Sequence, residues 1–223
     1  DAERAEEKLN QDNAYDIYNT LKSLKGSALK LAQMLSMERN ILPKAYVDKF
    51  SLAQFSVPPL SGPLVRKTLK KHLGKTPEEL FDKFSEEAIS AASIGQVHLA
   101  VKNNKRYAVK IQYPGVAESI GSDLALVKPI ASKMFNIKMN EAEQYFTEVE
   151  KKLLEETDYQ IELQQSIEMS EACAKVLDIK FPKYYPEWSS KKVLVMDFMK
   201  GKPLGAYVQK NKSSQAERNA IGQ

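Results

Sequence analysis

The stretch Ala88–Val116, AISAASIGQVHLAVKNNKRYAVKIQYPGV, constrains this chain more than any other. Val97, Leu99 and Val101 alternate with His98, Ala100 and Lys102, the two-residue period of a half-buried strand. Asn103-Asn104 follows, and asparagine accepts the left-handed backbone that a tight hairpin turn demands. Tyr107, Val109 and Ile111 then line one face of a second strand, and Ala108, Lys110 and Gln112 line the other. Pro114-Gly115 ends it. Lys110 thus stands on a strand between Val109 and Ile111, and an ammonium drawn into such a place needs an anionic partner. Just upstream, Ser90-Ala91-Ala92-Ser93-Ile94-Gly95 is a turn of small side chains. Small residues let backbone approach a ligand closely, with N–H groups facing phosphate oxygens. Either signal alone is weak, since a small-residue loop is more often only a loop and a strand lysine more often snorkels to the surface. Together, with the lysine about fifteen residues after the turn, they point to a phosphate-holding site.

Composition excludes several other chemistries. With 223 residues and 43% hydrophobic content the chain can bury a core as one large domain or two small ones. A net charge of +4, from 33 basic and 29 acidic residues, is too mild and mixed for a nucleic-acid-binding field. Cys173 is the single cysteine and reads as an inert thiol. His72 and His98 are the only histidines, which argues against a histidine metal site or a Ser-His-Asp triad. No signal peptide and no apolar run of about eighteen residues is present, so no membrane span is expected in this chain.

The remaining order is mostly helical. Leu21, Leu24, Ala28, Leu31 and Leu35 recur at three and four within Tyr15–Met37, with Lys30 and Gln33 on a neighbouring face. Ala45–Gln54 reads as another short helix and Val57–Gly62 as a linker. A basic helix over Pro63–Leu73 should end at Gly74, and Thr76 should cap a turn that begins with Pro77. Pro114–Phe135 is helical, and Asn140–Val176 is a long acidic helix broken near its middle. It carries Glu155, Glu156, Asp158 and Glu162, whose simplest role is a solvated face. Lys192–Phe198 is nearly continuous in apolar residues and reads as a buried central strand.

In combination these segments resemble the UbiB family of atypical kinase-like proteins, the aarF-domain kinases. SAASIGQVHLA (Ser90–Ala100) is similar to the family's alanine-rich nucleotide loop, and YAVKIQYPGV (Tyr107–Val116) to the strand bearing its nucleotide lysine. KGSALKLAQMLS (Lys25–Ser36) resembles the Lys-x-Gly-Gln helix, with Ala32 in place of the glycine. EETDYQIE (Glu155–Glu162) resembles the Glu-x-Asp helix that corresponds to kinase αC, and VLVMDFMKGKPL (Val193–Leu204) the kinase hinge. The resemblance implies an α+β fold, a protein-kinase-like small lobe whose antiparallel sheet packs on an αC-type helix. Residues 1–57 would be a helical N-terminal extension, 58–84 a linker with short helices, 85–200 the small lobe and 201–223 the start of a truncated large lobe.

The same resemblance implies residue roles. Lys110 would hold the nucleotide's α- and β-phosphates and pair with Glu162. Ala91, Ala92, Ser93 and Gly95 would cover the phosphates. Met196 would back the adenine pocket, with the backbone of Asp197 and Met199 bonding adenine. Lys30 would pair with Glu156, near Asp158, and Gln33 would accompany it from the extension. The ligand would be ATP or ADP with Mg2+. The chain contains no His-x-Asp or Asp-Phe-Gly motif, so no catalytic residue or metal ligand is expected in it, and it reads as a fragment of a longer protein. That protein would be an ATPase or a small-molecule or lipid kinase supporting quinone biosynthesis. The alternative is a catalytically silent pseudokinase that binds lipid or biosynthetic proteins. The expected setting is the bacterial cytoplasm or its membrane face, or a mitochondrion, with peripheral membrane contact and no nucleic-acid partner.

Overall fold

The computed structural model describes residues 4, 7–9, 11–16, 19, 59–92, 94–135, 139–175, 179–201, 207 and 214–222. Lys30, Gln33 and Ser93 lie outside the described residues, as does most of the expected N-terminal extension. The described chain runs through α1 (Gly62–Leu73), α2 (Pro77–Leu80), β1 (Lys83–Phe84), β2 (Ser90–Ala91), β3 (Gly95–Lys102) and β4 (Lys105–Gln112). It continues through α3 (Val116–Phe135), α4 (Met139–Glu156), α5 (Tyr159–Ala172), a 3-10 turn (Pro186–Trp188), β5 (Val193–Asp197) and α6 (Gln215–Gly222).

The strands form one antiparallel sheet in the order β1-β3-β4-β5, with β2 sharing the outer edge of β3. The β3–β4 hairpin closes as its sequence suggests. Asn103 and Asn104 both take left-handed conformations, at φ 50° and 60°. That pair of positive φ values matches the right-handed twist of the two strands.

Helix ends also follow local chemistry. Gly74 leaves α1 in a left-handed conformation at φ 72°, and its N–H caps the Lys70 carbonyl at 3.1 Å. Thr76 and Pro77 open α2, and the Glu79 carboxylate accepts from the Thr76 N–H at 2.6 Å. The long acidic helix breaks at Thr157-Asp158, where the Asp158 carboxylate accepts from the Gln160 N–H at 3.0 Å and so starts α5.

Two apolar clusters flank the sheet. On one face Val65 and Leu69 of α1, with Leu80 and Phe81, pack against Ala100, Tyr107, Val109, Ile111, Val193 and Val195. Helices α1 and α2, expected as part of a linker region, are therefore a cover for the sheet. On the other face Tyr159 and Leu163 of α5 pack with Ile94, Tyr113, Val116 and Leu194. Each fully buried aliphatic side chain of this kind contributes roughly 1.5–3 kcal/mol. Strand β5 is buried as expected, but it is the last strand in the order and not a central one. Its alternate residues feed both clusters, and isolated bridges from Tyr184 to Met196 and from Ser190 to Val193 lie beside it.

The facing of β3 departs from simple polarity. Apolarity alone would turn Val97, Leu99 and Val101 inward. Instead Gln96, His98 and Ala100 are fully buried, and the three apolar residues are only half-buried. The polar face is tolerated because its groups are joined in one chain of hydrogen bonds. The Ser85 carbonyl lies 2.8 Å from His98 Nδ1, which must therefore carry the proton. His98 Nε2 then accepts from Gln96 Nε2 at 2.7 Å, and Gln96 Oε1 accepts from the Leu60 N–H at 2.6 Å. Phe84 stacks on the imidazole with centroids 5.0 Å apart.

Burial lowers the His98 pKa, outweighing the Ser85 bond that would raise it. Charging His98 would also set two donors against each other at Gln96. The unfolded chain takes up a proton near pH 6.5 while the folded one resists it. Stability is thus full above about pH 6.5 and falls as the pH drops below it. Chemical denaturation at neutral pH and near pH 5.5 should show this loss, and His98→Gln should flatten the slope. An unchanged slope in the variant would assign the acid sensitivity elsewhere.

Candidate functional site

The hairpin of small residues, the strand lysine and an acid of the broken helix come together in space. Ala92 and Gly95 exchange backbone hydrogen bonds, at 2.8 Å from the Ala92 N–H and 3.4 Å from the Gly95 N–H, and so close the connection from β2 to β3. Ala91 pairs with Gln96 across this turn and is exposed. Gly95, expected to cover phosphates, is buried in β3 opposite Gln112. A methyl group there would stand 2.4 Å from the Ile111 carbonyl oxygen and 2.8 Å from the Tyr159 hydroxyl. The glycine is thus required by packing beneath the turn.

Lys110 lies across from Val97 in the register of the hairpin. Its Nζ donates to both carboxylate oxygens of Glu162, each at 2.8 Å. The Lys110 side chain keeps 20% of its exposure and that of Glu162 38%, so the pair is partly exposed and not sealed in the core. The ammonium also sits 4.6 Å above the ring centroid of Tyr159.

The position of Glu162 is set where α5 begins. The Tyr159 N–H donates to the Lys191 carbonyl at 3.0 Å, and Gln112 Nε2 donates to the Thr157 carbonyl, also at 3.0 Å. Lys192 reaches Gln112 Oε1 and, at 3.4 Å, the same Thr157 carbonyl, and burial lowers its pKa. The helix start is thereby tied to the ends of β4 and β5, and Glu162, one turn further on, faces Lys110. Asp158 is used as the helix cap and faces Lys191 Nζ at 3.4 Å. Glu156 is exposed at the end of α4. Its expected partner, Lys30, lies outside the described residues.

A strip of half-buried apolar surface leads away from Lys110. Val97, Leu99, Ala108 and Met196 share this face of the sheet through the pairs Leu99↔Ala108 and Ala108↔Met196. The strip ends at Asp197, beyond which Met199 is exposed. The Phe198 N–H bonds the Arg106 carbonyl at 3.2 Å, so the backbone groups of Asp197 point away from β4. There the Asp197 N–H donates to the Lys183 carbonyl at 2.8 Å. The Asp197 carboxylate is used structurally, accepting from Lys105 Nζ at 2.7 Å and from the Tyr185 hydroxyl at 2.8 Å. Burial would raise its pKa, but the Lys105 and Tyr185 hydrogen bonds outweigh this and hold it below the usual carboxylate range. Among the described residues no group of three or more His, Cys, Asp or Glu side chains gathers as a metal site, and no helix is long and apolar enough to cross a membrane.

A family model for the ABC1 atypical kinase-like domain matches residues 52–223. The chain belongs to this family. The chain is 34% identical over 204 residues to the atypical kinase coq-8, mitochondrial, of Caenorhabditis elegans, covering 90% of this chain and 27% of the relative. It is 33% identical over 186 residues to a probable protein kinase UbiB of Haemophilus ducreyi, covering 79% of this chain and 34% of that one. An uncharacterized chloroplastic aarF domain-containing protein kinase of Arabidopsis thaliana is 33% identical over 198 residues, covering 86% of this chain and 28% of the relative. The chain thus spans about a third or less of the length of these relatives. Among solved structures, the complex of Rv3197 with erythromycin from Mycobacterium tuberculosis superposes with a TM-score of 0.61 at 25% identity, over 100% of this chain and 56% of that one. Both the UbiB-type resemblance and the kinase-like α+β fold expected from the motifs therefore hold.

Two contributors to the site were not legible in the sequence. Tyr159 stands three residues before Glu162, a spacing that shares a helix face and was the one available signal. The Gln112–Lys192–Thr157 anchor joins residues up to 80 positions apart and left no local trace.

Proposed function

We propose that this chain is the nucleotide-covering part of an ATP- or ADP-binding atypical kinase-like protein. The observation that carries the reading is the Lys110–Glu162 pair, half-open to solvent, at one end of an apolar strip and beside the small-residue hairpin. In this reading adenine lies along Val97, Ala108 and Met196. The carbonyl of Asp197 and the backbone of Met199 meet its polar edge, the Asp197 N–H being taken by the Lys183 carbonyl. Lys110, held extended by Glu162, binds the α- and β-phosphates, and the backbone around Ala91, Ala92 and Ser93 closes over them. Lys30 and Gln33 approach Glu156 and Asp158 from the extension. Bound Mg2+ would neutralise phosphate charge. Its ligands and the catalytic groups are assigned to the part of the relatives' length that this chain does not span.

For the whole protein we propose an ATPase or small-molecule or lipid kinase that supports quinone biosynthesis. The kinase names of the relatives support the kinase-like part of this reading, the quinone setting follows from the UbiB-type resemblance, and peripheral contact with a membrane and with other biosynthetic proteins fits it. Titrating the intact protein with Mg-ADP and Mg-ATP should give saturable binding and a raised melting temperature. Absence of both would reject the site. Phosphate release from Mg-ATP by the same protein would favour the enzyme, and binding with no turnover would favour the silent pseudokinase.

A further inference from the structure

The tyrosine inside the acidic stretch Glu155–Glu162 is an unusual core residue. Tyr159 is the first residue of α5 and is fully buried, yet among the described residues its hydroxyl finds no hydrogen-bond partner. Burial pushes its pKa far up, so it stays neutral. A buried orphan hydroxyl costs stability, and phenylalanine would fill the same space without that cost. The position is therefore not explained by hydrogen bonding. What the ring does touch is informative. Its face lies 4.6 Å beneath the Lys110 ammonium. Its hydroxyl end lies where a side chain on Gly95 would be, directly under the hairpin of small residues. Glu162, one turn along the same helix, holds the same ammonium at 2.8 Å.

We propose that Tyr159 is a positioning residue for the nucleotide lysine. This rests on the assignment of Lys110 to the phosphates. Glu162 fixes the ammonium by charge from one side, and the tyrosine face supports it from below. The ring carries negative quadrupole density, so it attracts the cation without offering a competing hydrogen bond. Two carboxylates around Lys110 would satisfy it so well that phosphate would have to displace one of them. One carboxylate and one ring face leave donors of the ammonium free to turn toward a ligand. Because the hairpin rests on the other end of the same ring, through the space that Gly95 leaves empty, the loop and the lysine share one support. A single rigid plate sets the distance between the backbone that would cover phosphates and the charge that would bind them.

The test is nucleotide affinity in the intact protein, read by Mg-ADP titration on a series of variants. Tyr159→Phe keeps the ring and should leave affinity within about twofold of the unsubstituted protein. Tyr159→Met keeps apolar volume but has no face, and should weaken binding about fivefold, the scale of a partly desolvated cation–π contact. Fluorination answers the case in which methionine disturbs the core. Replacing Tyr159 by phenylalanine with one, two and three ring fluorines keeps the shape while draining the ring face, and affinity should fall at each step. A flat fluorination series overturns the proposal. So does a Tyr159→Met effect that persists undiminished when Lys110→Met is also present, since a residue acting through Lys110 has nothing to act on there. Lys110→Met alone separates the two levels. If it does not weaken binding, the assignment of Lys110 to the phosphates fails. If it weakens binding while the fluorinated series stays flat, only the role of Tyr159 fails.

Discussion

Gly95→Ala is expected to destabilise the fold by about 3 kcal/mol, at the upper end of what overpacking costs. The added methyl would sit 2.4 Å from a backbone carbonyl oxygen, Ile111 O, and 2.8 Å from the Tyr159 hydroxyl. Neither neighbour can move cheaply. Ile111 is paired to both Gln96 and Val193 in the middle of the sheet, and Tyr159 is fully buried at the start of α5. For a chain of this size the change corresponds to a fall in melting temperature of roughly 10 °C. Gly121→Ala serves as the opposite control. Gly121 is exposed within α3, and its nearest neighbour would be Glu150 Oε1 at 3.6 Å. Alanine there should gain up to about 1 kcal/mol through helix propensity. Thermal melts of the two variants should move in opposite directions. If Gly95→Ala melts with the unsubstituted protein, the tight approach of the hairpin to Tyr159 and Ile111 is wrong.

Lys110→Met is the second large effect. It should weaken Mg-ADP or Mg-ATP binding by roughly ten- to a hundredfold, the range of a charge-assisted hydrogen bond lost to a phosphate. Stability should change much less. Glu162, freed of its partner, keeps 38% of its side-chain exposure and can be hydrated where it stands. That contrast is the diagnostic. A structural ion pair would lose stability with binding unaffected, whereas a ligand-holding pair does the reverse. Glu162→Gln should give a smaller loss of affinity, because it keeps a hydrogen-bonding group on the helix while removing the charge that extends the lysine. Calorimetric titration together with chemical denaturation of both variants measures the two quantities separately, and unchanged affinity in Lys110→Met would remove Lys110 from the site.

Much of the scaffold could be read from local chemistry. Asn103-Asn104 announced a hairpin because asparagine tolerates positive φ, and both residues adopt it. Gly74 and Thr76-Pro77 marked helix ends for similarly local reasons. The break in the acidic helix at Thr157-Asp158 was visible in outline because aspartate favours a cap over a helix interior. The facing of β3 was not legible. A period of two says that a strand has two faces and is silent on which one is covered. Gln96 and His98 could turn inward only because Leu60 and Ser85, from other segments, complete their hydrogen bonds. The packing demand on Gly95 was not legible for the same reason: its neighbours, Ile111 and Tyr159, are distant in sequence.

The sequence by itself determined the hairpin, the lysine on its second strand and the acid available to meet it, since each depends on spacing within a few residues or on a motif. The motif resemblance already pointed to Glu162 as that acid; tertiary structure decided what carries it to the lysine and what supports the pair. Lys110 and Glu162 are 52 residues apart, and Glu162 reaches its place only because Gln112, Lys191 and Lys192 fasten the start of α5 to the sheet. Tertiary packing also left Val97, Leu99, Ala108 and Met196 half-open. Burial is a property of what lies on the other side of a surface, and no pattern within a single strand encodes that.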